Sequence, residues 1–411
     1  MAGVRSVALA FWIATGSVAE ADEQAGLSHL LEHMLFRGTP RLTSTEIDAL
    51  FDEMGAELNA GTAKDSTSVY TRVLDRHLPR ALEVIGDMVW RPALNDLDAE
   101  RQVVLEEIAM YEDDPQDRVF DLLGEAVFPA HPLGRPIIGR AAVVAGVARD
   151  DLARFHAQRY VPSNVVLAAA GSVDHDELVE LVRRAGAERE ELGAPALPAA
   201  PEPTPPKLRY AGKDTEQVHL CLGGRALARD DERRFALRVL DNILGGTSSS
   251  RLFQEVRERR GLAYSVFSFQ SLYAETGQVG IYLGTRPDRL ARALAVVADE
   301  LGRLLQDGPT EAELDRGREN VKGRTALALE STSARMNRLG SSLLADMPVL
   351  SLDEVIERVD AVGRQDVVAL MGSLFDPEGL SAAAIGPSEQ TVRDGLRAVT
   401  GELDPAPAAV P

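Results

Sequence analysis

The chain has 411 residues, too many for one ordinary hydrophobic core, and this length implies two or three domains. Its content of 45% hydrophobic and 26% charged residues is that of a soluble globular protein. With 64 acidic against 44 basic residues, a net charge of -20, it lacks the basic surface needed to neutralise nucleic-acid phosphates, and its field favours basic or neutral partners.

The first element predicted is a strand, "SVALAFWIAT" from Ser6 to Thr15. An apolar stretch close behind Arg5 mimics an export signal, but it is short and its β-formers suit a buried strand. No apolar run approaches the roughly 18 residues of a membrane-spanning helix. Cys221 is the single cysteine, so an intrachain disulfide is impossible and a reducing, cytoplasmic setting is expected.

A helix follows over "GLSHLLEHMLF", then two amphipathic helices across Arg76 to Ala109. The strand "NVVLAAAGS" closes this half. The Pro- and Ala-rich stretch 193–206, "GAPALPAAPEPTPP", reads as an extended linker. Beyond it the pattern repeats: a strand "QVHLCLGG", a helix "RFALRVLDNILGG", two helices from Asp288 to Ala326 and a closing strand "GLSAAAIGP". The expected fold is therefore α+β, with two homologous duplicated domains, each a mainly antiparallel sheet packed with helices. Their expected limits are 1–192 and 207–403, followed by a disordered tail at 404–411.

The duplication isolates the chemistry. Aligning "LLEHML" with "VLDNIL" sets Glu32 against Asp241, His33 against Asn242 and His29 against Arg238. The second copy keeps the helix without the histidines, so the fold does not require them. His29 and His33 are four residues apart and share one helix face, a spacing that lets two imidazoles reach one Zn²⁺. Glu32 stands beside such a metal without binding it, placed to take a proton from a water and return it to a leaving amine. The order H-x-x-E-H is the inverted zincin pattern. A third ligand is expected on "DAERQVVLEEIAMYEDDPQD", where Glu100 and Glu107 lie two turns apart on one face. Glu107 is assigned as ligand and Glu100 as its support, orienting a histidine. Glu106, rotated by about 100° from Glu107, is the fallback ligand.

These residues resemble the pitrilysin-type zinc peptidases, specifically the branch related to the mitochondrial processing peptidase β subunit and its bacterial relatives. The resemblance is carried by "GLSHLLEHMLFRGT", "GAELNAGTAKDSTSVY", "ERQVVLEEIAMYEDDPQDRVFD", "HPLGRPIIG" and "GGTSSSRLFQEVRERRGLAYSVFS", and it runs through nearly the whole chain. It implies one Zn²⁺ per chain held by His29, His33 and Glu107, with Glu32 as the base and Glu100 behind the ligands. It also implies an edge strand that pairs with the substrate backbone at Asn59 and Ala60, and Arg257 and Tyr264, in "RERRGLAY", as donors to the substrate carbonyl.

The implied activity is that of a zinc-dependent metalloendopeptidase acting on peptides or unfolded polypeptide segments. Family members of this size commonly work as dimers, so a homodimer or a heterodimer with a related chain is expected. The competing class is a catalytically silent member serving as a structural or partner subunit, against which the intact H-x-x-E-H with Glu107 argues. The chain departs from the family in one respect: members usually carry a further strand ahead of the segment matching "GVRSVALAFWI", and here Met1 falls almost at that segment. Either the true start lies upstream or the chain lacks a strand of the first sheet, which would leave an exposed sheet edge.

Overall fold

A computed structural model describes residues 1, 3–186, 196 and 198–406. The first half runs β1 (Ser6–Ile13), α1 (Leu27–Leu35), α2 (Ser44–Met54), β2 (Glu57–Thr62), β3 (Thr67–Leu74), α3 (Leu78–Trp90), α4 (Leu97–Asp113), α5 (Pro115–Val127), α6 (Ala141–Gly146), α7 (Arg149–Arg159), β4 (Val165–Gly171) and α8 (His175–Gly186). The second half runs β5 (Lys207–Gly212), β6 (Val218–Ala226), α9 (Arg234–Leu244), β7 (Ser265–Leu272), β8 (Gly277–Thr285), α10 (Leu290–Asp307), α11 (Glu311–Ala328) and α12 (Thr332–Leu344). It ends with α13 (Leu352–Asp360), α14 (Arg364–Leu374), β9 (Ser381–Gly386), α15 (Glu389–Leu396) and β10 (Asp404–Pro405). No helix among the described residues is long and apolar enough to cross a membrane.

The repeated strings of the sequence fold into sheets of matching order. The first sheet is β2-β3-β1-β4, wholly antiparallel, and the second contains β7-β8-β6-β9 in the same arrangement. The second sheet continues past β9 through β5 and β10, both added in parallel. Among the described residues β4 is the outer strand of the first sheet, the place that β9 shares with β5 in the second. Strand β1 is buried almost throughout because it is central, flanked by β3 and β4.

The compact units do not follow the linear halves. One unit gathers residues 1–110, 135–198 and 326–349, and the other gathers 111–134, 199–325 and 350–411. Thus α5, from the first half of the chain, packs on β6 and β9, while α12, from the second half, packs on β1 and β4. The reason is that each sheet has two apolar faces to cover. In the first unit, Val7, Leu9, Phe11 and Ile13 of β1 meet α1 and α3 residues such as Leu31 and Ile85. Ala8, Ala10, Ala168 and Ala170 form the opposite face, and Met336 of α12 closes it. Small side chains there let the helix come close: a Cβ on Gly340 of α12 would sit 2.1 Å from the Trp12 ring nitrogen. In the second unit Phe120 of α5 stacks on Tyr282 at 5.6 Å between centroids and meets Phe269 edge-on at 5.0 Å.

Two boundary expectations need comment. Asp404 and Pro405, expected in a disordered tail, pair with Lys207 and Leu208 instead, because β5 would otherwise be an open edge. Residues 407–411, and 193–195 and 197 of the expected linker, lie outside the described residues.

Candidate metal centre

Helix α1 has a sharply divided surface. Leu27, Leu30, Leu31, Met34 and Leu35 are buried in the core of the first unit, while His29, Glu32 and His33 are half-buried on the remaining face. Helix α4, which begins 62 positions after the end of α1, reaches the same place, buried through Leu97, Glu100, Val104 and Ile108. Glu107 lies at the border of that buried stripe, and Glu106 is exposed beyond it, as the 100° step requires.

The two helices bring three donors together. One ligand atom each from His29, His33 and Glu107 lies within 4.8 Å of the other two, the one such cluster among the described residues. Glu107 Oε2 is 3.4 Å from His33 Nε2 and 3.7 Å from His29 Nε2. A tetrahedral zinc with ligands at 2.0–2.1 Å sets neighbouring donors about 3.3–3.4 Å apart, so this donor set fits the ion in chemistry and in span. The rings of His29 and His33 stand edge-to-face at 4.7 Å.

Supporting contacts orient these groups. Glu100, only 5% exposed, accepts the hydrogen bond at His33 Nδ1 (2.8 Å), which leaves Nε2 facing Glu107. The other Glu100 oxygen is ion-paired with Arg37. His29 Nδ1 is buried and has no hydrogen-bond partner among the described residues. Burial, reinforced by the neighbouring His33, holds the His29 imidazole down at about 4, so at neutral pH it is in the uncharged form that a metal requires. Burial pushes the Glu32 carboxyl above its ordinary value, and the hydroxyl of Thr62, donating to Oε2 at 2.5 Å, opposes that rise.

Thr62 ends β2, the edge strand of the sheet, paired to β3 on one side. Asn59 is exposed on this strand opposite Tyr70, and Ala60 opposite Val69. Asn59 Oδ1 accepts the amide of Ala60 at 2.8 Å, which leaves its Nδ2 as the outward donor. Arg257 and Tyr264 belong to the second unit, where the Arg257 guanidinium lies 4.7 Å from the Tyr264 ring centroid. Tyr264 is 77% exposed.

The sequence and fold can now be set beside known proteins. The description of the insulinase family, peptidase family M16, matches residues 2–141, and that of the M16 inactive domain matches 146–321. A protein of Mycobacterium tuberculosis named an uncharacterized zinc protease is 42% identical over 97% of this chain and 92% of its own. The chain belongs to peptidase family M16. The uncharacterized zinc protease YmxG of Bacillus subtilis is likewise 42% identical, covering 94% of each chain. Among solved structures, an M16 inactive-domain protein of Pseudomonas fluorescens has a TM-score of 0.88 at 24% identity, covering 94% of this chain and 93% of its own. A Helicobacter pylori protease has a TM-score of 0.87 at 23% identity, covering 93% and 94%. At that identity they speak for the fold.

The M16 stretch described as inactive is the one that carries Arg238, Asp241 and Asn242 in place of His29, Glu32 and His33. The polar skeleton persists there. Asp241 accepts the Ser268 hydroxyl of β7 at 2.5 Å, as Glu32 accepts Thr62 of β2. Asn242 donates to Asn320 of α11 at 2.9 Å, where His33 meets Glu107 of α4. Thr62, Arg37, Glu20 and Arg135 carry no assignment from the sequence, although Thr62, Arg37 and Arg135 lie inside the strings that carry the resemblance.

Proposed function

We propose that this M16 member is a zinc-dependent metalloendopeptidase that cleaves peptides or unfolded polypeptide segments. The observation supporting it most is the convergence of His29, His33 and Glu107, with a half-buried carboxylate, Glu32, beside them and bound to the end of an open strand edge. Zinc held by the three donors would supply Lewis-acid polarisation of the scissile carbonyl and lower the pKa of the attacking water. Glu32 takes the proton of that water and delivers it to the leaving amine. Its raised pKa brings it closer to the working pH, where a shuttle both accepts and releases protons effectively. The outward backbone groups of β2 bind the substrate as an added strand, with Asn59 Nδ2 and the Ala60 region gripping the peptide backbone. Backbone pairing makes few demands on sequence, which suits unfolded substrates. Arg257 and Tyr264 enter this reading as donors to the substrate carbonyl on the strength of the family resemblance.

The decisive experiment is metal analysis combined with cleavage of a mixed peptide library by wild type and Glu32→Gln. The wild type should hold one zinc per chain and cleave, and the variant should keep the zinc while losing cleavage by about 10²–10⁴-fold. A wild type that binds zinc yet cleaves nothing at any zinc or peptide concentration would overturn the enzymatic reading.

A further inference from the structure

The first turn of α1 is held in an unusual way. Helix starts normally gain a cap from a small polar side chain at the N-cap, and Thr43 does this for α2 and Ser351 for α13. The N-cap of α1 is Gly26, with φ at +106°, which offers no side chain and whose backbone shape disfavours one. Its amides are met from outside the helix. Glu20, 4% exposed, accepts the Gly26 amide on Oε2 at 2.9 Å and the Ser28 amide on Oε1 at 2.7 Å. Ser28 immediately precedes His29. A carboxylate is favoured at the positive end of a helix, but burial of the group is costly and pushes its pKa up to about 7.

The loop that presents Glu20 is itself anchored. Arg135, 9% exposed, donates through Nη2 to the carbonyls of Glu20 (2.5 Å) and Ser17 (3.3 Å), and pairs through Nη1 with Asp22. Four residues further on, Gly139 at φ +87° lies so close that a Cβ there would come within 2.3 Å of Gly26 Cα. Residues 135–139 thus cover the loop and the helix start together. The second copy of the helix lacks this arrangement. Helix α9 begins without a side-chain cap, and half-buried Asp231 accepts the amide and the guanidinium of Arg233, which precedes the first helical residue. The buried clamp accompanies the histidines, not the fold.

We infer that Glu20, held in place by Arg135, is a positioning residue of the metal centre. It fixes the first turn of α1 so that His29 and His33 project at the spacing that Glu107 completes. The inference rests on the reading that these three residues bind zinc.

The test uses the full chain and zinc alone, with affinity measured by competition against a chromophoric chelator. Glu20→Gln, which keeps the shape but weakens the acceptor pair, should lose about 10–100-fold in zinc affinity at a temperature where it is fully folded. Arg135→Lys, a milder change, should move affinity in the same direction. Amide exchange in the metal-free variants should accelerate in the segment spanning Ser28 to His33. Asp75→Asn, which removes the charge paired with Arg5 and one of the two acceptor oxygens that Arg5 and Ser172 use elsewhere in the same unit, is the control for general destabilisation and should leave zinc affinity unchanged. Wild-type zinc affinity and unaltered exchange in folded Glu20→Gln, whatever its melting temperature, would overturn the positioning role. Loss of affinity equal to that in Asp75→Asn would overturn it too. A wild type that takes up no zinc would instead sink the metal reading on which the inference stands.

Discussion

His33 is held from both sides, by Glu100 on Nδ1 and by the Glu107 carboxylate beyond Nε2. Glu100 in turn carries Arg37, so its charge is compensated although the side chain is buried. Glu100→Gln keeps one acceptor for His33 but no longer compensates Arg37. It should weaken zinc binding by about 10–100-fold, with a smaller loss of cleavage once zinc is saturating. Metal titration and kinetics at saturating zinc separate the two effects. The residues legible in the sequence here share one property. His29, His33, Glu100 and Glu107 announce themselves through helical spacing, because periodicity states which side chains share a face. Glu20, Thr62 and Arg135 make contacts across loops and strands, at 8, 30 and 115 residues of separation, and no local pattern encodes those.

At the scale of elements, β1, α1, the pair α3 and α4, and β4, with their counterparts β6, α9, α10, α11 and β9, were readable because apolar periodicity changes where a strand gives way to a helix. Helices α2 and α6 and the strands β7 and β8 were not assigned. The exchange of α5 and α12 was not readable either. An amphipathic helix shows that it has a buried face without showing which sheet covers it, and here two equivalent sheets were available. The close approach of α12 to β1 makes that choice testable. Gly340→Ala puts a methyl group against the Trp12 ring and should lower stability by about 1–3 kcal/mol, read as a fall in melting temperature with zinc affinity unchanged. A second test concerns the start of α11. Burial pushes the Glu313 carboxyl up, but the two Arg251 hydrogen bonds at 2.8 Å and the Thr310 amide outweigh it and hold the group at about 2. A depressed carboxylate stabilises the fold above its unfolded pKa near 4.5 and loses that contribution as pH falls toward about 2. The contribution is at most about 3 kcal/mol at neutral pH. Denaturant unfolding of Glu313→Gln should therefore show its largest deficit near neutrality and converge on wild type between about pH 4.5 and pH 2.

For the whole molecule, duplication explains the coexistence of an unusual polar helix and a plain one in a single chain. Both sheets keep the same four-strand order, and both keep an acid bound to a hydroxyl on the edge strand, Glu32 with Thr62 and Asp241 with Ser268. What differs is the pair of histidines and the glutamate opposite them, so the donor set that could hold a metal is confined to one copy of a shared frame. The net charge of -20 is uneven, with 18 basic against 34 acidic residues in 1–206 and 26 against 30 in 207–411. A negative field concentrates cationic ligands and repels anionic ones, and salt screens it over about 8–10 Å near physiological ionic strength. If extended peptides are the substrates, a peptide with several added lysines should therefore bind faster than its acidic counterpart at low salt. Raising salt from about 20 mM to about 300 mM should increase KM several-fold for the basic peptide and lower it for the acidic one, with kcat nearly unchanged for both. Equal salt dependence for the two peptides would show that backbone pairing along β2 governs capture and that the surface charge serves solubility alone.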